Sequence, residues 1–133
     1  MADEARVLID RDVDIVAARQ LGRALAVEVG FKGSDLTLIA TAISEIARNM
    51  VVYAERGEVR MTEASKHGRR GIEVVAADQG PGIPDITQAM QDGFSTGRSL
   101  GLGLPGARRL MDEFEIVSEV GRGTTVTMRK WLP

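Results

Sequence analysis

Apolar residues recur along the 133-residue chain with two different periods, and the changes between them lay out its elements. Leu36, Ile39, Ile43, Ile46, Met50 and Tyr53 fall in steps of three and four, one continuous face of a helix that Ser34 is placed to cap. Before it, Ile15, Ala18, Leu21 and Leu25 predict a first helix, capped by Asp12 or Asp14 and stopped at Gly30. Val7-Leu8-Ile9 reads as a short leading strand. After the second helix the period shortens to two. Glu58 to Glu63 and Gly71 to Ala77 are expected strands, joined as a hairpin through the polar segment 65–70. A short helix is expected over 85–90 and a glycine- and serine-rich flexible stretch over 93–101. A third helix follows at about Leu104 to Phe114, with Pro105 tolerated in its first turn. The chain closes with a hairpin, Glu115 to Val120 and Thr124 to Trp131, turned by Gly121-Arg122-Gly123.

Helices interleaved with hairpin strands predict an α+β fold, a two-layer α/β sandwich with helices on one face of a mixed, mostly antiparallel sheet. Two hairpins argue against a doubly wound parallel sheet, because they make neighbouring strands antiparallel. The length suits one domain, 1–133, with one core. Hydrophobic residues make up 44% and charged residues 27%, the balance of a globular protein, and the net charge of −2 gives no bulk attraction to nucleic acid or anionic membrane. Without cysteine, disulfides, thiolate metal sites and cysteine nucleophiles are excluded. The polar start, Met1 to Arg6, has no signal core, and no apolar run approaches the roughly 20 residues that cross a bilayer; a cytoplasmic protein is expected.

Candidate chemistry sits at four places. Glu45 and Asn49 are four apart on the second helix and share a face beside its apolar stripe. Their oxygens suit Mg²⁺, and the carboxylate equally suits a general base; the same spacing also describes ordinary solvated helix surface. Asp78-Gln79-Gly80-Pro81-Gly82 ends a strand with one acceptor and two glycines, so backbone can approach a flat ligand and Asp78 can meet an adenine amino group. As residues alone, it is also a turn. Gly101-Leu102-Gly103-Leu104 approaches a helix start, where free N–H groups and the helix dipole favour phosphate; no P-loop or dinucleotide fingerprint accompanies it. Gly123-Thr124 begins the last strand. His67 reads as a surface turn residue, and Arg108-Arg109, without interleaved aromatics, as a solvated helix face.

In order and spacing, Glu45-x-x-x-Asn49, Asp78-x-Gly80-x-Gly82, Gly101-Leu102-Gly103-Leu104 and Gly123-Thr124 resemble the N box, the two glycine boxes and the terminal Gly-Thr of the GHKL (Bergerat-fold) ATPase/kinase superfamily. The resemblance covers nearly the whole chain. Residues 41–49, 78–85, 92–96 and 109–114 look most like the serine/threonine switch kinases of bacterial stressosomes. The resemblance implies ATP and Mg²⁺ as cofactors, with Glu45 as general base and Asn49 as metal ligand. Asp78 would bind the adenine amino group, and Gly80 and Gly82 would line the base. Gly101, Leu102, Gly103 and Leu104 would close a lid over the phosphates, and Thr124 would support Asp78 through a water. One departure stands out: many relatives carry a lysine or histidine four residues after the box asparagine, where this chain has Tyr53. Charge neutralisation is then left to Mg²⁺ and to Arg98 or Arg48.

By the same resemblance the activity is transfer of the ATP γ-phosphate to serine or threonine of STAS-domain stressosome proteins, with a PP2C-type phosphatase as the downstream target. Two alternatives remain: an anti-sigma factor kinase that uses the same site, and a nucleotide-gated binding module without catalysis. An intact Glu45 argues against the second, since ligand capture alone needs no base.

Overall fold

The computed structural model describes residues 4–54, 56–82, 90 and 103–133. Along the chain run β1 (Ala5–Ile9), α1 (Asp12–Val29), α2 (Ser34–Tyr53), β2 (Gly57–Lys66), β3 (Arg69–Asp78), α3 (Gly103–Leu110), β4 (Glu113–Glu119) and β5 (Gly123–Trp131). The strands form one sheet in the order β1-β2-β3-β5-β4. Among the described residues every pairing is antiparallel, so the sheet described is antiparallel rather than mixed. The reason is local: β2–β3 and β4–β5 are hairpins, β1 pairs antiparallel with β2, and β5 inserts antiparallel beside β3.

Alternation along the strands decides which sheet face is covered. Val7, Ile9, Val59, Met61, Ile72, Val74, Ala76, Val126 and Met128 are buried under the helices, while Leu8, Arg60 and Thr125 point the other way and are exposed. Helix α1 contributes Ile15, Ala18, Leu25, Ala26 and Val29 to the same core, and α2 contributes Leu36, Ile39, Ile43, Ile46 and Met50. Gly22 is what lets α1 press down here, because a Cβ at that position would run into Ile43 and Met61. By length and composition alone α2 could cross a membrane, yet half of its apolar window is buried inside the fold. Its length includes the polar Glu45, Arg48 and Asn49.

Several boundaries differ from the sequence reading, each for a physical reason. Arg11, not Asp12 or Asp14, is the N-cap of α1; Asp14 lies within the first turn and reaches back, its carboxylate accepting from the N–H groups of Asp10 and Arg11 at 2.9 Å. Those two bonds hold its pKa below the usual aspartate value. Gly33, not Ser34, caps α2. Gly30 ends α1 as expected, with a φ of 123°. The β2–β3 hairpin is longer than expected because its turn needs only two residues, His67 (φ 54°) and Gly68 (φ 77°). Helix α3 stops at Leu110 instead of continuing to Phe114, because β5 captures the chain there. Asp112 N–H donates to the Arg129 carbonyl at 2.9 Å, Trp131 N–H to the Asp112 carboxylate at 2.8 Å, and Lys130 Nζ to the Leu110 carbonyl at 3.1 Å. The expected helix over 85–90 and the flexible stretch 93–101 lie, apart from Met90, outside the described residues.

Candidate functional site

The four candidate segments come from α2, the end of β3, the start of α3 and the β4–β5 hairpin, and two sets of contacts join them. Glu45 lies on the buried part of α2, and only 8% of it is exposed. Its Oε2 accepts a hydrogen bond from the Gly103 N–H, at 3.3 Å, across the helix–helix contact. Gly103 is the first residue of α3, so this N–H is one of the groups that a helix start leaves without an internal partner. A buried carboxylate therefore meets the positive end of a helix. Asn49, one turn further along α2, is half-buried. Leu104 and Pro105 are buried and anchor the start of α3.

The second set of contacts fixes Asp78. Its Oδ1 accepts from the Gly80 N–H at 2.9 Å and from the Thr124 N–H at 3.3 Å. The carboxylate is thus oriented by backbone from its own loop and from the last strand. Thr124, expected to support Asp78 through a water, also reaches it directly with its backbone N–H, and the Thr124 hydroxyl lies 2.7 Å from that of Ser118. Ser118 escaped the sequence reading. The only trace of it is strand alternation, which places it opposite Thr124 in the β4–β5 register.

The loop after Asp78 is gripped from both sides. A Cβ on Gly80 would lie 2.7 Å from the Ala54 side chain at the end of α2. On the other side, Gly121 N–H donates to the Pro81 carbonyl at 2.9 Å, and a Cβ on Gly82 or Gly123 would strike backbone of Glu119 or Asp78 respectively. Gly80, Gly82 and Gly123 therefore answer to packing between main chains, whatever else passes near them. Gly101 and Leu102 lie outside the described residues.

Among the described residues no group of three or more His, Asp and Glu side chains could cage a metal ion. Glu45 and Asn49, one turn apart on α2, carry oxygens of the kind that could supply one or two protein ligands to Mg²⁺. Asp14, Arg70, Glu113 and Arg129, whose pKa values are shifted, belong to the first turn of α1 and to the strands and are not part of this constellation.

Residues 10–130 match the histidine kinase-like ATPase domain, which is most of the chain. The chain belongs to that family. Among curated relatives, the serine/threonine-protein kinase RsbT of Bacillus subtilis (strain 168) is 52% identical over 132 residues, covering 99% of both chains. The anti-sigma F factor of Thermoanaerobacter sp. (strain X514) is 31% identical, covering 86% of this chain and 83% of that protein. That of Geobacillus stearothermophilus is 34% identical, covering 72% and 69%. The α+β architecture is that of the histidine kinase-like ATPases, and the GHKL resemblance read from the boxes holds. The enzyme class read from them, an ATP-using serine/threonine-protein kinase, is that of a relative matched over its full length.

Proposed function

We propose that residues 1–133 form one ATP-binding kinase domain that acts as a switch in a bacterial stress response. Its substrates are STAS-domain proteins of the RsbS or RsbR kind. Its downstream target is a PP2C-type phosphatase of the RsbU kind, which it binds and activates, in the cytoplasm. The observation that carries the catalytic part is the contact between the buried Glu45 carboxylate and the Gly103 N–H. A proton acceptor beside amides suited to phosphate is what phosphoryl transfer to a hydroxyl requires.

In this reading Asp78, set by the Gly80 and Thr124 amides, accepts from the adenine amino group, with Gly80 and Gly82 along the base. The amides from Gly101 to Leu104 take phosphate oxygens. Asn49 would hold Mg²⁺, which would supply positive charge against the phosphates. Glu45 takes the proton of the substrate hydroxyl as that oxygen bonds to the γ-phosphorus. The bond from the γ-phosphorus to the β,γ-bridging oxygen breaks, and ADP leaves with those electrons. Such chemistry is mostly positioning and charge stabilisation, in keeping with so small a domain.

The switch-kinase reading stands ahead of the anti-sigma one because RsbT matches at 52% over 99% of the chain, whereas the anti-sigma F factors match at 31% and 34% over less of it. The test is to incubate the protein with Mg-ATP and a STAS-domain protein encoded beside it, then map phosphate by mass spectrometry. Phosphoserine or phosphothreonine on that protein is expected. An unmodified STAS protein together with stable capture of a sigma factor would replace this reading with the anti-sigma one.

A further inference from the structure

Helix α2 carries a single cation, Arg48, three residues after Glu45 and one before Asn49. Residues three apart on a helix lie on neighbouring positions of one side, so Arg48 and Glu45 flank the same stretch of surface. Among the described residues, the Arg48 Nε is the buried side-chain nitrogen or oxygen atom left without a hydrogen-bond partner. That is a costly arrangement: Nε–H belongs to a group that never loses its charge, and unsatisfied buried donors are few in native proteins. Such a group waits for an acceptor, and for a guanidinium the fitting acceptor is a carboxylate or a phosphate oxygen.

Several cations elsewhere among the described residues are already engaged. Lys130 donates to the Leu110 carbonyl at the far end of α3, Arg129 bridges Glu73 and Glu113, and Arg122 lies 3.7 Å from Glu119 in an exposed turn. The position one turn beyond Asn49 is Tyr53, which brings no charge. If the site is read as above, the adenine lies at Asp78 and the transferred phosphoryl group at Glu45, since a base must reach the attacking hydroxyl. Arg48 is one helical turn from Glu45, at the phosphoryl end rather than the adenine end.

We propose that Arg48 binds the terminal phosphoryl group of ATP and is what distinguishes the triphosphate from the diphosphate in this chain, in place of a basic residue at position 53. This rests on the ATP-site reading but is separable from it. The experiment is calorimetric titration of wild type, Arg48→Gln, Arg48→Lys and Asp78→Asn with ATP, ADP and AMP in the presence of Mg²⁺. Arg48→Gln should lower ATP affinity about 10- to 100-fold, the range for a hydrogen bond to a charged group, while ADP and AMP change less than about 3-fold. Arg48→Lys, which keeps the charge without the Nε–H, should fall between. AMP binding doubles as a check that each variant is folded.

An unchanged ATP-to-ADP preference in Arg48→Gln would overturn the proposal, as would an equal loss for all three nucleotides, which would mark Arg48 as merely structural. Both results leave the ATP site standing, provided Asp78→Asn weakens all three nucleotides together. If the wild type binds none of them, or Asp78→Asn changes nothing, the site reading fails and this inference with it.

Discussion

The two ends of the sheet are held together by different kinds of contact. At the end where β3 runs out, Asp78, Gly80, Pro81, Gly121, Gly123 and Thr124 meet almost wholly through backbone: amides onto one carboxylate, an amide onto a carbonyl, and glycines where no Cβ fits. Toward the other end, on the sheet face opposite α1 and α2, side chains do the joining. Arg129 bridges Glu73 at 2.7 Å and Glu113 at 3.1 Å; Glu113 also accepts from Trp131 Nε1 at 2.7 Å and from Lys66 at 3.3 Å. Backbone contacts fix positions without side-chain entropy, which suits a site that must hold one carboxylate in one orientation. Ion pairs still partly open to solvent tolerate more motion and exchange, and each contributes modestly. The difference predicts that changes at the first end disturb ligand and fold together, whereas changes at the second disturb stability alone.

The largest effect is expected at Glu45, the general base of the proposed function. Glu45→Ala should reduce phosphoryl transfer by about 10²-fold or more, the usual contribution of a general base, while ATP titration shows retained binding. Wild-type transfer rates in this variant would remove Glu45 from the base role. Next comes Gly123→Ala. The glycine sits at a φ of 121° and its absent Cβ would strike the Asp78 carbonyl, so both conformation and contact oppose a side chain. Strain of this kind costs about 1–3 kcal/mol. Thermal unfolding should show that loss, and ATP affinity should fall with it because Asp78 is displaced. A stable variant with weakened ATP binding, or the reverse, would break the link between loop geometry and ligand.

The same contrast explains what was legible in the sequence. Asp78, Gly80, Gly82 and Gly123 stand at positions where main chains approach closely, and their residue types and spacing mark such positions; as residues alone they read equally as turns, and it is the order of the four boxes that groups them. The long period of α2 and the strand alternation set the layers, because burial of one face leaves no other solution. What failed was decided by tertiary capture. The end of α3 at Leu110 is set by β5 through Asp112, Lys130 and Trp131, and nothing within 104–114 announces it. The start of α1 turns on a carboxylate inside the first turn, Asp14, that reaches back to Asp10 and Arg11, a geometry that residue order alone does not single out. Ser118 and the partnerless Nε of Arg48 depend on which groups face each other across the fold, and a single sequence does not hold that information.

The smallest effect sharpens the comparison from the other side. Hydrogen bonding from Trp131 is the largest effect on the Glu113 carboxyl; burial opposes it, and smaller contributions from Lys66 and Arg129 leave the pKa below the usual glutamate value. A depressed folded-state value means that the unfolded chain takes up the proton more readily. The contribution of Glu113 is therefore present in full above its unfolded pKa and is lost as pH falls through the lower folded value. Glu113→Gln keeps an acceptor for Trp131 but removes the charge facing Arg129 and Lys66. Denaturant unfolding should show this variant slightly less stable than wild type at neutral pH, with the gap closing once the medium is acidic enough to protonate Glu113 in the folded protein. High salt should narrow the gap at neutral pH, because Lys66 is exposed and Arg129 only half-buried. ATP affinity should not move, since the network reaches Asp78 only along the length of β3 and β5. A Glu113→Gln variant that loses ATP binding at unchanged stability would show that the two ends of the sheet are coupled.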